Sequence, residues 1–193
     1  MNMDINEVGE LLGSEFEYIF ENAKPILQGL GLKKSAEILD VGTGEGRMAI
    51  TLALNGYKVL TGELEGDESE YAGKNWLAAA KKAEVDHLIT FKPFDAEKMP
   101  FEDESFDAIF ISGTLHHIKD QQAAFNESAR VLKSNGIICI FEPKPRSVAY
   151  IRANKFPNHP DGVDPRIFNK KLQLYVEIKE TSFHIVYIFR KEQ

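Results

Sequence analysis

A glycine-rich turn after an apolar run is the feature that most constrains the fold of this chain. Residues 37–46 read EILDVGTGEG, so Ile38, Leu39 and Val41 form a short apolar run before glycines at alternate positions. The run predicts a buried strand, and the glycines predict a tight turn before a helix that begins near Arg47. Because glycine tolerates positive φ and has no Cβ, such a turn lets a nucleotide-like ligand lie against the backbone.

The composition restricts the classes of protein that this chain represents. Its 193 residues carry a formal net charge of -7, with 43% hydrophobic and 27% charged residues, as in an ordinary globular domain. This acidity disfavours a broad phosphate-binding surface, and therefore a nucleic-acid partner. The sequence predicts no membrane span and shows no basic-then-apolar leader, so a cytoplasmic location is expected. Cys139, the single cysteine, lies in an apolar run and is expected to be a buried core thiol.

Beyond the turn, hydrophobic periodicity predicts alternating strands and helices. Strands are predicted at residues 38–41, 57–61, 88–91, 106–112 and 137–141. Helices are predicted at 5–30 in two pieces, 47–54, 69–83 and 120–132, with a break or second start near Pro25 and a stop at 134–136. This alternation is typical of a parallel sheet covered by helices on both faces, with right-handed crossovers.

The segment after Glu142 follows a different pattern. Residues 143–165 are rich in proline, which predicts a loop or an irregular cap rather than a buried element. A short helix is predicted at 165–174. Residues 175–190 alternate and are rich in β-branched and aromatic side chains, so they predict a hairpin that closes the edge of the sheet.

The glycine turn by itself fits a dinucleotide, a phosphate or an adenosyl group. Gly42 and Gly44 match the start of a dinucleotide fingerprint, but Arg47 stands where that fingerprint requires a small residue for close helix packing. A phosphate loop needs lysine followed by serine or threonine after its glycines, and this turn lacks them. The spacing therefore weakens the interpretation as an NAD-dependent oxidoreductase and excludes a phosphate loop.

The spacing Asp40-x-Gly42-x-Gly44-x-Gly46 resembles motif I of the class I S-adenosylmethionine-dependent methyltransferases. Residues 94–118 read FDAEKMPFEDESFDAIFISGTLHHI, which is similar to the ubiquinone and menaquinone biosynthesis branch of that family. The shared features are an Asp-Ala turn, a Pro-Phe pair, a Ser-Phe-Asp strand start and a Leu-His-His-Ile after strand four. The resemblance covers about half of the chain, roughly residues 36–142.

The resemblance implies an α/β fold with a Rossmann-like, doubly wound seven-stranded sheet, in the order 3-2-1-4-5-7-6 with strand 7 antiparallel. It implies a single methyltransferase domain over residues 1–193, with an N-terminal helical cap at 1–35 and a cofactor-binding core at 36–142. Residues 143–193 would then form a short cap loop and a C-terminal hairpin. The family often holds its acceptor with an inserted cap, and the corresponding interval here is short and matches poorly.

The implied cofactor is S-adenosyl-L-methionine. By resemblance, Asp40 accepts hydrogen bonds from the ammonium group of the cofactor. Asp95 binds the exocyclic amine of its adenine, and the Ala96 amide binds an adenine ring nitrogen. Glu63 follows strand two, where a carboxylate accepts two hydrogen bonds from a ribose diol, and Glu65 is its rival for this role. The implied cofactor-binding residues are Asp40, Gly42, Thr43, Gly44, Gly46, Glu63, Asp95, Ala96, Ser112 and Gly113.

His116 and His117 are the candidate catalytic residues. They follow strand four at its carboxyl end, where open parallel sheets bind ligands, and imidazole titrates near neutrality as a general base requires. The alternative is that either ring packs on a helix or caps a backbone group. Glu142 either faces the acceptor or makes a structural hydrogen bond. The histidine and two aspartates of residues 159–164 lack the spacing of a metal site, so no metal is predicted.

The sequence thus predicts S-adenosylmethionine-dependent methyl transfer to a small-molecule acceptor. Positioning supplies much of such catalysis, and a general base is needed only for acceptors that must lose a proton. An alternative is an S-adenosylmethionine-binding subunit or regulatory protein without independent transfer. A nucleotide-dependent oxidoreductase is the third interpretation. The identity of the acceptor and the oligomeric state stay open.

Overall fold

The computed structural model describes residues 5–66 and 75–191 of the chain. The chain divides into two compact units, residues 1–94 and residues 95–193. The assignment of the whole chain to a single domain stays a prediction. No helix in the described ranges is long and apolar enough to cross a bilayer.

The first unit begins with two helices and continues with alternating strands and helices. Its elements are α1 (Ile5–Leu12), α2 (Ser14–Gly29), β1 (Ile38–Val41), α3 (Arg47–Leu54), β2 (Val59–Gly62), α4 (Trp76–Lys82), a 3₁₀ turn (Asp86–Leu88) and β3 (Ile89–Phe91). The predicted start of the third helix near Ser69 lies outside the described residues.

The second unit holds the remaining four strands. Its elements are β4 (Phe106–Ser112), a 3₁₀ turn (Leu115–His117), α5 (Gln121–Val131), β5 (Leu132–Pro143), α6 (Pro145–Asn154), a second 3₁₀ turn (Pro165–Phe168), β6 (Tyr175–Glu180) and β7 (His184–Arg190).

The strand order of the sheet is β3-β2-β1-β4-β5-β7-β6. In the first unit β2 pairs in parallel with both β1 and β3. In the second unit β4 and β5 are parallel, and β7 runs antiparallel to β5 and to β6. The predicted seven-stranded Rossmann-like sheet, including the antiparallel strand 7, is confirmed.

Each unit has its own apolar core. Every residue of β1 is buried, as expected of a strand covered on both faces, and Ile50 and Leu52 of α3 have no exposed surface. In the second unit the central residues of β4 and β5 are buried, and Phe125 of α5 packs edge-to-face on Phe189 of β7 at 5.0 Å between ring centroids. Cys139 is buried, as predicted.

The break in the amino-terminal helices was predicted at the wrong residue. It lies at Gly13, whose φ of 96° ends α1, whereas Pro25 lies inside α2. Proline removes one backbone donor from the helix, but Ile26 and Leu27 are buried and keep the last turn in place. Tertiary packing outweighs the local preference of proline here.

The predicted stop of the fourth helix at residues 134–136 was also wrong. The helix α5 ends at Val131 and β5 starts directly at Leu132. Residues 134–136 lie within β5, where the pairing with β4 shifts register between Phe106 and Ala108. Lys191 stabilises this irregularity, because its amide donates to the Gly136 carbonyl and its Nζ to the Leu132 carbonyl.

The proline-rich segment is more ordered than predicted. Residues 145–154 form the helix α6, which begins with Pro145, a position where the fixed φ of proline suits a helix. Ser147 and Val148 bury one side of α6, and the Ser147 hydroxyl donates to the Phe183 carbonyl at 2.7 Å. The helix predicted at 165–174 is only the 3₁₀ turn of Pro165–Phe168, while the predicted terminal hairpin is confirmed.

Phe125→Ala should destabilise the chain strongly, because it opens a cavity beside Phe189 in a fully buried region. We expect a loss of about 3 to 5 kcal/mol in the free energy of unfolding. Ile178→Ala on β6 is the matched control, since its side chain is 43% exposed, and it should cost less than about 1 kcal/mol. Urea unfolding followed by circular dichroism measures both, and equal losses would contradict this assignment of the core.

Candidate active site

The glycine turn of the first unit has the backbone that its sequence requires. Gly42, Gly44 and Gly46 have φ angles of 89°, 47° and 75°, all in the left-handed region. The Gly42 amide donates to the Gly62 carbonyl at 2.8 Å, and the Gly46 amide to the Thr43 carbonyl at 2.7 Å. A Cβ on Gly46 would lie 2.8 Å from the Cβ of Trp76, so this glycine also permits close packing of α4.

Asp40 lies at the end of β1 with its side chain fully buried. Its Oδ2 accepts from the Thr61 hydroxyl at 2.8 Å, and the Thr61 and Thr43 hydroxyl oxygens are 2.9 Å apart. Its Oδ1 has no hydrogen-bond partner among the described residues. An ionisable oxygen that is buried beside a glycine turn and has no donor is suited to receive a donor group from a ligand.

The pKa of Asp40 is raised from 3.8 to about 7. Burial is the largest cause, because desolvation disfavours the carboxylate, and the nearby charge of Glu63 raises the pKa further. The hydrogen bond from Thr61 acts in the opposite direction. A cationic ligand group beside Asp40 would favour the charged form, so binding of a cation and ionisation of Asp40 would support each other.

Glu63 follows β2 and lies against the same turn. Its Oε2 accepts from the Gly44 amide at 2.9 Å, so the carboxylate and the turn are fixed relative to each other. A carboxylate has several lone pairs, so this contact leaves capacity to accept from a ligand diol. Glu65, the rival, is exposed.

Arg47, whose position disfavours a dinucleotide fingerprint, also forms ion pairs in the structure. It is the first residue of α3, and its guanidinium pairs with Glu45 of the turn and with Glu15 of α2. Arg47 therefore links the glycine turn to α2.

The second unit holds the other candidate cofactor residues. The Asp95 side chain is exposed, and its Oδ1 accepts from the Glu97 amide at 2.8 Å, which orders the carboxylate in a small turn. Ala96 is half-buried. Ser112 ends β4, and Gly113 follows with a φ of 62°. The Gly113 amide donates to the Phe141 carbonyl at 2.9 Å, so a ligand contact here would use other atoms of residues 112–113.

His116 is buried and bound to Glu142, a pairing that the sequence left open. The Nδ1 of His116 lies 2.9 Å from Oε2 of Glu142, and both side chains are at most 2% exposed. The Val163 amide donates to the same Oε2 at 2.8 Å. Because a carboxylate accepts the Nδ1 hydrogen, the lone pair of the neutral ring lies on Nε2, which has no hydrogen-bond partner among the described residues.

Two more imidazoles lie beside His116. The ring centroid of His117 is 4.3 Å from that of His116, and the ring centroid of His159 is 5.0 Å from each of them. The pKa of His159 is lowered, chiefly by burial. The residues Asp161 and Asp164 do not join this cluster, because Asp161 pairs with Arg152 and Asp164 with Arg166.

Sequence reasoning missed three contributors to these sites. Thr61 holds Asp40, Trp76 packs on the glycine turn, and His159 joins the two candidate catalytic histidines. Thr61 carried a signal, because it is a polar residue inside a strand that is otherwise apolar near its end. His159 was considered only together with Asp161 and Asp164. No pattern in the sequence indicated its contact with His116, which is far away in the chain.

The first unit therefore combines a parallel strand, a left-handed glycine turn and a buried carboxylate, one oxygen of which has no partner in the described ranges. These residues fit S-adenosyl-L-methionine, which presents an ammonium to an acidic acceptor and a ribose diol to a second carboxylate.

The chain belongs to the methyltransferase domain family, whose model matches residues 39–140, more than half of the sequence. S-adenosyl-L-methionine is the cofactor of this family. The predicted class I methyltransferase related to the quinone methyltransferases is confirmed.

Two curated relatives illustrate the range of the family. The chain is 32% identical over 112 residues to the 27-O-demethylrifamycin SV methyltransferase of Amycolatopsis mediterranei, covering 58% of this chain and 40% of the relative. It is 31% identical over 121 residues to the demethylmenaquinone methyltransferase of Staphylococcus aureus, covering 62% of this chain and 48% of the relative. The chain thus spans about half the length of the curated relatives it matches.

Solved structures show the same fold over nearly the whole chain. A SAM-dependent methyltransferase from Aquifex aeolicus superposes with a TM-score of 0.66 at 18% identity, covering 98% of this chain and 99% of that structure. An O-methyltransferase family protein from Burkholderia thailandensis gives a TM-score of 0.66 at 12% identity, covering 93% of this chain and 59% of the other. The fold therefore extends beyond the segment where sequence similarity is detected.

Asp40 should make the stability of the chain fall as pH rises. It binds its proton more tightly in the folded chain, where its pKa is about 7, than in the unfolded chain, where it is 3.8. Between these values stability decreases with pH. From about pH 5 to about pH 8 the wild-type chain should lose about 3 kcal/mol of unfolding free energy relative to Asp40→Asn. Urea unfolding at both pH values measures this difference, and parallel pH profiles would show that burial does not perturb Asp40.

Proposed function

We propose that this chain transfers the methyl group of S-adenosyl-L-methionine to a small-molecule acceptor. The observation that carries the proposal is the buried Asp40 beside a left-handed glycine turn in a methyltransferase domain, because its Oδ1 has no partner among the residues that the structure describes. The cofactor supplies a sulfonium methyl that is already electrophilic. The protein has mainly to position the reactants and exclude water.

In the first unit, Asp40 is proposed to accept hydrogen bonds from the cofactor ammonium. The unpaired Oδ1 supports this role, because a buried acceptor without a donor is costly until a ligand supplies one. Gly42, Gly44 and Gly46, with Thr43 between them, are proposed to let the methionyl part lie against the backbone. Glu63 is proposed to accept from the ribose hydroxyls, and its contact with the Gly44 amide supports this, since that contact holds it beside the turn.

In the second unit, Asp95 is proposed to accept from the adenine amine and the Ala96 amide to donate to the ring. The contact from Glu97 supports this role for Asp95, because it holds the exposed carboxylate in one orientation. Ser112 and Gly113 are proposed to contact the methionyl end. These roles rest on the match between the motif of residues 94–118 and the family.

His116 is proposed to take the proton from acceptors that must lose one. Glu142 orients the ring and would stabilise the imidazolium that forms, so the pair has the arrangement of a base held by a carboxylate. His117 is half-buried beside it and is the second candidate for this role. An acceptor that is already an anion would need neither histidine as a base.

A small acceptor agrees with the charge of the chain and with its relatives. The net charge of -7 disfavours a polyanionic substrate. The two relatives are named for methylating demethylrifamycin and demethylmenaquinone, which supports an acceptor of that size. A cytoplasmic location is part of the same proposal.

Glu63→Ala should weaken the binding of S-adenosyl-L-methionine by about 1 to 3 kcal/mol, because it removes a charged acceptor from a hydroxyl pair. Isothermal titration calorimetry with the cofactor, its demethylated product and NAD measures this. The matched control is Glu65→Ala, an exposed carboxylate two positions further on, which should bind as the wild type does. A loss in Glu65→Ala alone would move the role to Glu65, and tight NAD binding without cofactor binding would overturn the proposal.

His116→Gln should lower the rate of methyl transfer by about 100-fold or more while leaving cofactor affinity unchanged, because it removes the proposed base from the reaction only. An untargeted metabolite screen that follows the demethylated cofactor identifies the acceptor, and the variant is then compared at saturating acceptor. His87→Gln, at an exposed histidine of the first unit, is the control. A chain that binds the cofactor and methylates no metabolite would favour the alternative of a cofactor-binding subunit.

A further inference from the structure

Three imidazoles of the second unit form a cluster that methyl transfer alone does not require. His116 and His117 lie in the 3₁₀ turn after β4, and His159 lies after α6. One ring nitrogen from each residue lies within 4.8 Å of the corresponding nitrogens of the other two. His116 and His159 are buried and His117 is half-buried. We call these three residues the histidine cluster.

The surroundings of His116 leave a ligating atom available. Oε2 of Glu142 holds Nδ1, and the Val163 amide donates to the same oxygen, so the carboxylate that orients the ring is itself held in place. The Nε2 atom has no hydrogen-bond partner in the described ranges, although the side chain is only 1% exposed. A carboxylate behind a histidine whose other nitrogen is available is the arrangement that orients metal-binding histidines and raises their basicity.

His159 is held in the same way by a different acceptor. Its Nδ1 lies 2.7 Å from the Pro160 carbonyl oxygen, which can only accept, so the lone pair of the neutral ring is on Nε2. The Arg152 Nε donates to the His159 carbonyl at 2.7 Å and anchors the segment to α6. Both buried rings of the cluster therefore have Nδ1 assigned as the donor and Nε2 as the atom with the lone pair.

The spacing of the cluster is close to that of a three-histidine metal centre. Nitrogens that are 4.8 Å apart can surround an ion at about 2.8 Å, and a shift of each ring by about 0.7 Å brings them to the 2.1 Å of a zinc–imidazole bond. Imidazole ligands select zinc and its transition-metal neighbours, whereas magnesium and calcium require oxygen ligands. The nearby Asp161 and Asp164 are paired with arginines and do not supply such oxygens.

We propose that His116, His117 and His159 bind one divalent transition-metal ion of the zinc type, with a coordination position left open. The site goes beyond the proposed function, because metal binding requires neither the cofactor nor an acceptor. The open position suits an acceptor oxygen, whose anion the metal would stabilise. The metal and a proton compete for the same lone pair on His116, so His116 would not act as the base in the metal-bound chain. An acceptor hydroxyl that binds the metal would become more acidic and release its proton to water.

Zinc titration of the chelator-treated chain tests this proposal. Calorimetry in a buffer with a weak competing chelator should show one zinc per chain, and cobalt(II) should give the visible absorption of a low-coordinate nitrogen site. His116→Gln, His117→Gln and His159→Gln should each weaken zinc binding at least about 100-fold, and Glu142→Gln about 10- to 100-fold. His87→Gln removes an exposed imidazole from the first unit and should leave the affinity unchanged.

The same samples are titrated with S-adenosyl-L-methionine, so that the two proposals fail separately. Cofactor binding without stoichiometric zinc binding overturns the metal site and leaves the proposed function intact. Zinc binding that survives in all three cluster variants also overturns it, because the ion would then lie elsewhere. Circular dichroism of each variant identifies misfolding. If His116→Gln or His159→Gln misfolds, the zinc affinity of His117→Gln decides the outcome, because the ring of His117 is only half-buried.

Discussion

The structure depends on a constraint at the end of β1, where the chain must leave a buried strand and enter α3 within residues 42–46. Only backbone in the left-handed region makes this turn, and glycine adopts it without the steric cost that a Cβ would bring. The same turn follows the buried carboxylate of Asp40 and places the Gly44 amide on Glu63. One local requirement of the backbone thus determines both the strand-to-helix connection and the positions of two acidic groups.

Burial of Asp40 links stability to binding. An acid inside a fully buried strand is costly to ionise, and Thr61 compensates for this with a single hydrogen bond to one oxygen. A cation that reaches Oδ1 would favour the ionised form of Asp40 over the protonated form, because a charge in a region of low dielectric is strongly stabilised by an opposite charge. The group that lowers the stability of the free chain at neutral pH is therefore one that a cationic ligand would stabilise.

In the second unit the buried ionisable group is the imidazole of His116, which a carboxylate holds in one orientation. Glu142 is buried and receives both the His116 ring and the Val163 amide, so β5, the 3₁₀ turn after β4 and the loop after α6 meet at one carboxylate. With Nδ1 held, the lone pair on Nε2 is available for a proton or for a metal ion. His159, in the loop after α6, lies beside this imidazole, with 5.0 Å between the two ring centroids.

The sequence alone determined the glycine turn and the alternation of strands and helices, because buried apolar runs and glycine spacing are local patterns with few structural solutions. The strand order was available only through the resemblance to the methyltransferase family. The sequence did not determine that α2 continues through Pro25, how β5 begins or that residues 145–154 are helical, because packing of Ile26, the contacts of Lys191 and burial of Val148 outweigh local preferences there. The histidine cluster belongs to the tertiary structure entirely. His159 reaches His116 only because α6 and its arginine return the chain to the end of β5, and no spacing in the sequence records a contact made over that distance.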